Sequence, residues 1–212
     1  TVKNVPKFAI SVGDFNGAYL SNITFATQSD GIHVMGAGKD LIINDIKGFT
    51  GDDFIAISGS DYVNNNYSKG DISNISINNI YPTNTQGNIV VLFPGNNGTN
   101  NLVFRNVSIS NVFGNTTNAS VVACNSYGAF GDPSTGETAG GIVENISIRN
   151  VYGSEGGNYM NFSVDTIYNL TIENAYPKFN NSIVNFTRGF VRDVNIKNIR
   201  FPNNSISRGI NF

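Results

Sequence analysis

The chain of 212 residues has no tryptophan, one cysteine and one histidine. A lone cysteine, Cys124, excludes an internal disulfide and leaves the redox compartment unmarked. With a lone histidine, His33, the sequence carries no argument for a Ser–His–Asp arrangement. With no cysteine cluster beside it, there is also no ligand set for a transition metal, and no cofactor is implied. Charge is scarce too: 13% of residues are charged, about half the usual share. The net charge of −2 supplies no basic field for nucleic acid or an anionic membrane. No apolar run reaches membrane-spanning length, and no signal peptide is visible at Thr1.

Asn, Ser, Thr and Gly fill the polar positions, and these are residues of turns and strand surfaces. They are not scattered. The stretches "KDLIINDIKG" (39–48), "SNISINNIYP" (73–82), "RNVSISNVFG" (105–114), "ENISIRNVYG" (144–153) and "YNLTIENAYP" (168–177) repeat one pattern. It runs Asn or Asp, apolar, any, apolar, any, Asn or Asp, apolar. Alternation with period two marks a strand with one buried face. A second series runs in step: "GIHV" (31–34), "FIAI" (54–57), "IVVLF" (89–93), "VVAC" (121–124), "YMNF" (159–162) and "SIVNF" (182–186). The step from the first series to the second stays near about 14 residues, as from Ile75 to Ile89 or Val107 to Val121.

A repeat of this length with two strands per copy predicts a solenoid. The expected fold is all-β, a right-handed parallel β-helix of about eight coils with almost no helix. It forms a single domain over residues 1–212. Apolar columns fill the interior, and Asn/Asp columns occupy turns in left-handed conformations, hydrogen-bonding up the stack. Solenoids need caps at their ends. Neither end reads as one, so the chain reads as a segment of something longer. The ring column Tyr81, Phe113, Tyr152 and Tyr176 recurs at one repeat position and reads as structural, and Cys124 reads as a buried filler.

Three return legs are long: "SGSDYVNNNYSKGD" (58–71), "FPGNNGTN" (93–100) and "SYGAFGDPSTGETAGG" (126–141). They leave consecutive coils from one edge and would form one wall, the usual way a solenoid builds a binding cleft. Tyr62, Tyr67, Tyr127 and Phe130 in this wall are candidates for stacking on sugar rings.

The chemistry concentrates in "QSDGIHV" and "TGDDFIAI". Aligning Ile32 and Val34 with Ile55 and Ile57 stacks Asp30 on Asp53, with Asp52 beside them. Backbones one coil apart are separated by ~5 Å. Like charges this close push one acid's pKa up. A raised acid beside an ionised base is what glycoside hydrolysis needs, with ~6.5–9.5 Å between them in inverting enzymes. The strand parity turns His33 outward, either as a substrate contact or as a plain surface residue. Clustered Asp can bind Ca²⁺, but no basic proton acceptor for a lyase accompanies them, and no metal is expected.

At "SDGIHV" and "TGDDFIAI" the chain resembles the polygalacturonase-like β-helix glycosidases, whose successive coils carry N-T-D-G, G-D-D, G-H-G and R-I-K. The resemblance implies Asp52 as general acid, with Asp30 and Asp53 positioning and activating the water, and inversion as the outcome. The chain departs from the pattern in the third coil, where "QGNIVVLF" puts Asn88 at the histidine position, and in the fourth, where "NASVVACN" has no basic residue. Asn88 is therefore a candidate substrate contact, with His33, Tyr62 and Tyr67. The long loops and Asn-rich coils are also similar to pectinase-related β-helices of phage tail spikes. That likeness implies an extracellular or virion-tail location, a cell-surface or cell-wall polysaccharide as substrate or receptor, and the homotrimer that such spikes commonly form. Two functions follow: an inverting glycan hydrolase, or a non-catalytic glycan-binding or structural spike.

Overall fold

The structure, a computed structural model, describes residues 1–5, 7–60, 67–125, 140–154, 159–178, 182–200 and 209–212. Among these there is no helix. Strands run in the order β1 (Val2–Val5), β2 (Ile10–Thr27), β3 (Ile32–Thr50), β4 (Ile55–Ser58), β5 (Ile72–Thr85), β6 (Val90–Phe93) and β7 (Val103–Asn115), then β8 (Val122–Asn125), β9 (Ile142–Ser154), β10 (Met160–Pro177), β11 (Val184–Ile199) and β12 (Ile210–Asn211). All strand-to-strand pairings are parallel. The fold is thus all-β and parallel, and its pairings close a ring through β3, β4, β6, β8, β10, β9, β7 and β5.

Two ladders run side by side; in the middle coils the second starts one residue later than the constant spacing predicts, with Val90 and Val122 rather than Ile89 and Val121 level with Met160. One stacks Ala18, Leu41, Ile75, Val107, Ile146, Leu170 and Val194. The other stacks Ile10, Ile32, Ile55, Val90, Val122, Met160, Val184 and Ile210. In the first ladder Leu41, Ile75, Val107, Ile146 and Leu170 are each at most 2% exposed. Burying a side chain of this size is worth about 1.5–3 kcal/mol, and the interior repeats that gain at every rung. At the two extremes the apolar residues are only partly buried, as at Ile10, Val12 and Leu20, and at Val191, Val194 and Ile199.

The long strands bend at Asn and Asp. Among the described residues, fourteen non-glycine residues have positive φ, and every one is Asn or Asp. Their short side chains tolerate the left-handed region better than other L-residues and can bond locally. Here they also tie one rung to the next. Asn74, Asn106, Asn145 and Asn169 each donate from Nδ2 to the Oδ1 of the residue below, at 2.8–3.1 Å. Asn150 and Asn174 do the same on the second column, to Asn111 and Asn150. The sequence repeat is therefore a stack of corners as well as a stack of core residues.

The predicted wall lies partly within the described residues. Gly59 N–H donates to Phe93 O, Leu102 N–H to Gly95 O, and Ile142 N–H to Leu102 O. The described ends of the returns thus meet on one edge. Residues 61–66 and 126–139, with Tyr62, Tyr127 and Phe130, lie outside the described residues.

Candidate active site

The predicted register of the acids is the one observed. Ile32 pairs with Ile55 and Val34 with Ile57, and Gly31 N–H donates to Asp53 O at 3.0 Å. Asp30 and Asp53 therefore occupy equivalent positions on consecutive rungs. A carboxylate oxygen from each of Asp30, Asp52 and Asp53 lies within 4.8 Å of the other two.

Each acid is held differently. Asp52 is anchored through its backbone: its carbonyl accepts from the Thr50 hydroxyl at 2.7 Å, the Thr85 hydroxyl at 2.6 Å and Gly87 N–H at 3.2 Å. Its side chain is left exposed. Partial burial, then the charge of Asp30, raises its pKa. Asp53 is half-buried, and its Oδ1 accepts from Asn88 N–H at 2.5 Å and Asn88 Nδ2 at 2.9 Å. Gly87 closes over it: a Cβ there would meet Asp53 Oδ1 at 2.5 Å. Burial pushes the Asp53 carboxyl up to about 7, with Asp30 and Asp52 adding repulsion against the opposing pull of the Asn88 hydrogen bonds. Asp30 is buried, 6% exposed, and its Oδ2 lies 2.5 Å from His33 Nδ1.

His33 does project from the outer face, as parity predicts, but it is not a surface residue. It is 4% exposed, and Phe8 stacks on its ring at 4.0 Å and 20°. Its column neighbours Ala56, Val91 and Ala123 are at most 1% exposed. The outer face between acids and wall is therefore covered, and the solvent-facing acid is Asp52.

Asn88 sits on the rung after Asp53 and acts as its brace. Its Nδ2 reaches Asp53 and its Oδ1 accepts from Ser120 N–H at 3.1 Å. Tyr67 is not near the acids. It covers Gly13 and Gly36, and Gly13 pairs with Met35, five residues from Asp30, or roughly 16 Å along the strand. The ring column is stacked, with successive centroids 5.5, 5.0 and 4.5 Å apart and planes within 9°. Lys47 lies over Tyr81 at one end and Arg200 over Tyr176 at the other. Its ring faces are occupied by neighbouring rings or cations, so only edges remain for solvent, which supports a structural role. Cys124 is fully buried, and burial pushes its thiol up.

One element of the site was missed. Thr27, Thr50, Thr85 and Thr116 stack as a buried column, and the Thr50 and Thr85 oxygens lie 2.6 Å apart. The signal is in the sequence: Thr27, Thr50 and Thr85 each stand three residues before Asp30, Asp53 and Asn88.

Among the described residues, the three acids are the one group of His, Cys, Asp and Glu side chains close enough to hold a cation together. Acidic clusters do this without binding one, and no further feature of the site points to a metal. The chain matches no protein-family model, no curated protein and no solved structure. The likeness to polygalacturonase-like glycosidases therefore stands on the residues of two rungs and on the repeat.

Proposed function

We propose that the chain is a right-handed parallel β-helix that hydrolyses a cell-surface or cell-wall polysaccharide at Asp30, Asp52 and Asp53. The carrying observation is the meeting of three carboxylates from two consecutive rungs within 4.8 Å, one of them with its pKa near neutrality. Such a cluster holds proton donor and proton acceptor side by side at neutral pH. Asp52 is exposed and raised, which suits the general acid that meets the leaving oxygen. Asp30 and Asp53 flank the position of an attacking water. The resemblance implies inversion, and the first-formed anomer, read by proton NMR, tests it. No basic residue stands at the two positions where the family holds a uronate, so polymers without uronate are the first to assay. The likeness to tail spikes suggests an extracellular or virion-tail setting and a homotrimer, which light scattering tests.

The test is reducing-end release from a panel of purified capsule and cell-wall glycans. Removal of a general acid or base costs roughly 10²–10⁴-fold in rate. Asp52→Asn and Asp53→Asn should each lose at least the lower figure. A wild type that binds a glycan but releases no ends defeats the reading.

A second reading has one observation in its favour. Asp53 is bonded to Asn88, and Asn88 to the next rung at Ser120, as if it were one more member of a structural ladder. On that reading the chain is a glycan-binding or structural spike, and Asp53→Asn leaves glycan binding intact while no variant has any rate to lose.

A further inference from the structure

We propose that His33 is the positioning residue of this site, holding Asp30 through Nδ1–H so that Asp30 turns an oxygen toward the water it shares with Asp52 and Asp53. The inference rests on the hydrolase reading and adds a residue to it. The ladder itself does not call for an imidazole: the equivalent positions on the next three rungs are Ala56, Val91 and Ala123. The chain's one histidine stands three residues after Asp30, on a rung of this column where it reaches an acid of the cluster. His33 and Asp30 are 4% and 6% exposed. A buried polar pair of this kind is held by its mutual hydrogen bond, and removing one partner leaves the other desolvated and unmatched. The contact at 2.5 Å is shorter than the ~2.7–2.9 Å of charge-assisted N–H···O bonds, so the two side chains are in direct hydrogen-bond contact.

The ring is fixed as well as bonded. Phe8 lies flat on it, and Lys7 Nζ lies 5.1 Å from the centre of the Phe8 ring. Phe8 is itself held to this rung, since Ala9 N–H donates to Asp30 O at 3.1 Å. An acceptor on Nδ1 places the neutral ring's proton on that nitrogen.

Two measurements test the role. The first uses the glycan identified by reducing-end release, with rates expressed per folded molecule. His33→Leu should lower kcat roughly 10²-fold, the scale set by displacing a catalytic group by about 1 Å, with KM changed less than twofold. His33→Asn, whose Nδ2 falls near the place of Nδ1, should recover at least a tenth of the wild-type kcat. The second is nitrogen-15 NMR of the single imidazole in the wild type, which needs no substrate and does not depend on whether His33→Leu folds. Wild type should show a ring protonated on Nδ1 with an exchange-protected proton, and Asp30→Ala should lose that protection. An unchanged kcat in His33→Leu, a loss that His33→Asn does not recover, or a wild-type ring protonated on Nε2 overturns the inference while the hydrolase reading stands. A wild type that hydrolyses no glycan overturns both.

Discussion

Asp53→Asn should remove most of a pH dependence from folding. In the unfolded chain this carboxyl ionises near 3.8, while in the fold it holds its proton up to about 7. Between these values the native state binds a proton that the unfolded state has lost, so unfolding releases one and stability falls as pH rises. The contribution is whole below about pH 4 and gone above about pH 7. A gap of about 3 pH units corresponds to about 4 kcal/mol over the full window, and about 3 kcal/mol of it falls between pH 5 and 8. Asparagine has the shape of the neutral acid, and its Oδ1 can still accept from Asn88 N–H and Nδ2, so the variant keeps the hydrogen bonds and drops the titration. Denaturant midpoints measured at pH 5 and pH 8 give the comparison directly. Wild type should lose about 3 kcal/mol more than the variant across that interval. In thermal scans of a chain this long, that amounts to roughly 6–12 °C. Parallel pH profiles for the two proteins would show that Asp53 titrates normally, and the description of a desolvated, repelled acid would be wrong.

Three further substitutions test the scaffold that holds the site. Thr50→Val removes a hydroxyl that touches both Asp52 O and Thr85 Oγ1; urea unfolding should show a loss of about 1–2 kcal/mol, with reducing-end release reduced because Asp52 loses an anchor. Asn111 has φ 54 and bonds to Asn78 and Asn150, so Asn111→Ala should cost more than Asn111→Gly by about 1–2 kcal/mol, the strain of a Cβ in the left-handed region; equal losses would mean that the corner is held by its hydrogen bonds alone. Tyr152→Ala breaks two stacked contacts in the ring column and should lower stability by at least about 1 kcal/mol with kcat unchanged; a selective loss of glycan affinity would instead mark the column as a binding surface.

The fold was legible because a stacked ladder writes each contact into the sequence as a repeat. Leu41, Ile75 and Val107 can be aligned by eye, and the alignment is the register. The same bookkeeping placed Asp30 on Asp53 before any coordinate was needed. What it could not supply was the environment on the outer face. Parity turns His33 outward, but whether outward means solvent depends on Phe8, which reaches the ring from the preceding rung. Asn88 likewise reads as a vacant histidine position, and only the geometry shows its amide spent on Asp53 and Ser120. Tyr67 reads as a neighbour of the acids because its loop follows their strand, yet the strand's own length carries it to the far end. The threonine column is present in the sequence at a fixed offset from Asp30, Asp53 and Asn88, but hydroxyl residues are so common throughout this chain that the spacing does not stand out.

The central claim is that Asp52, Asp53 and Asp30 together add water across a glycosidic bond. Digestion in heavy-oxygen water followed by mass spectrometry of the fragments tests it most directly. The account predicts one heavy oxygen at each new reducing end with wild type, and no labelled fragments above background with Asp52→Asn. Unlabelled fragments with an unsaturated sugar at the new end, or equal labelling by Asp52→Asn and wild type, would contradict it.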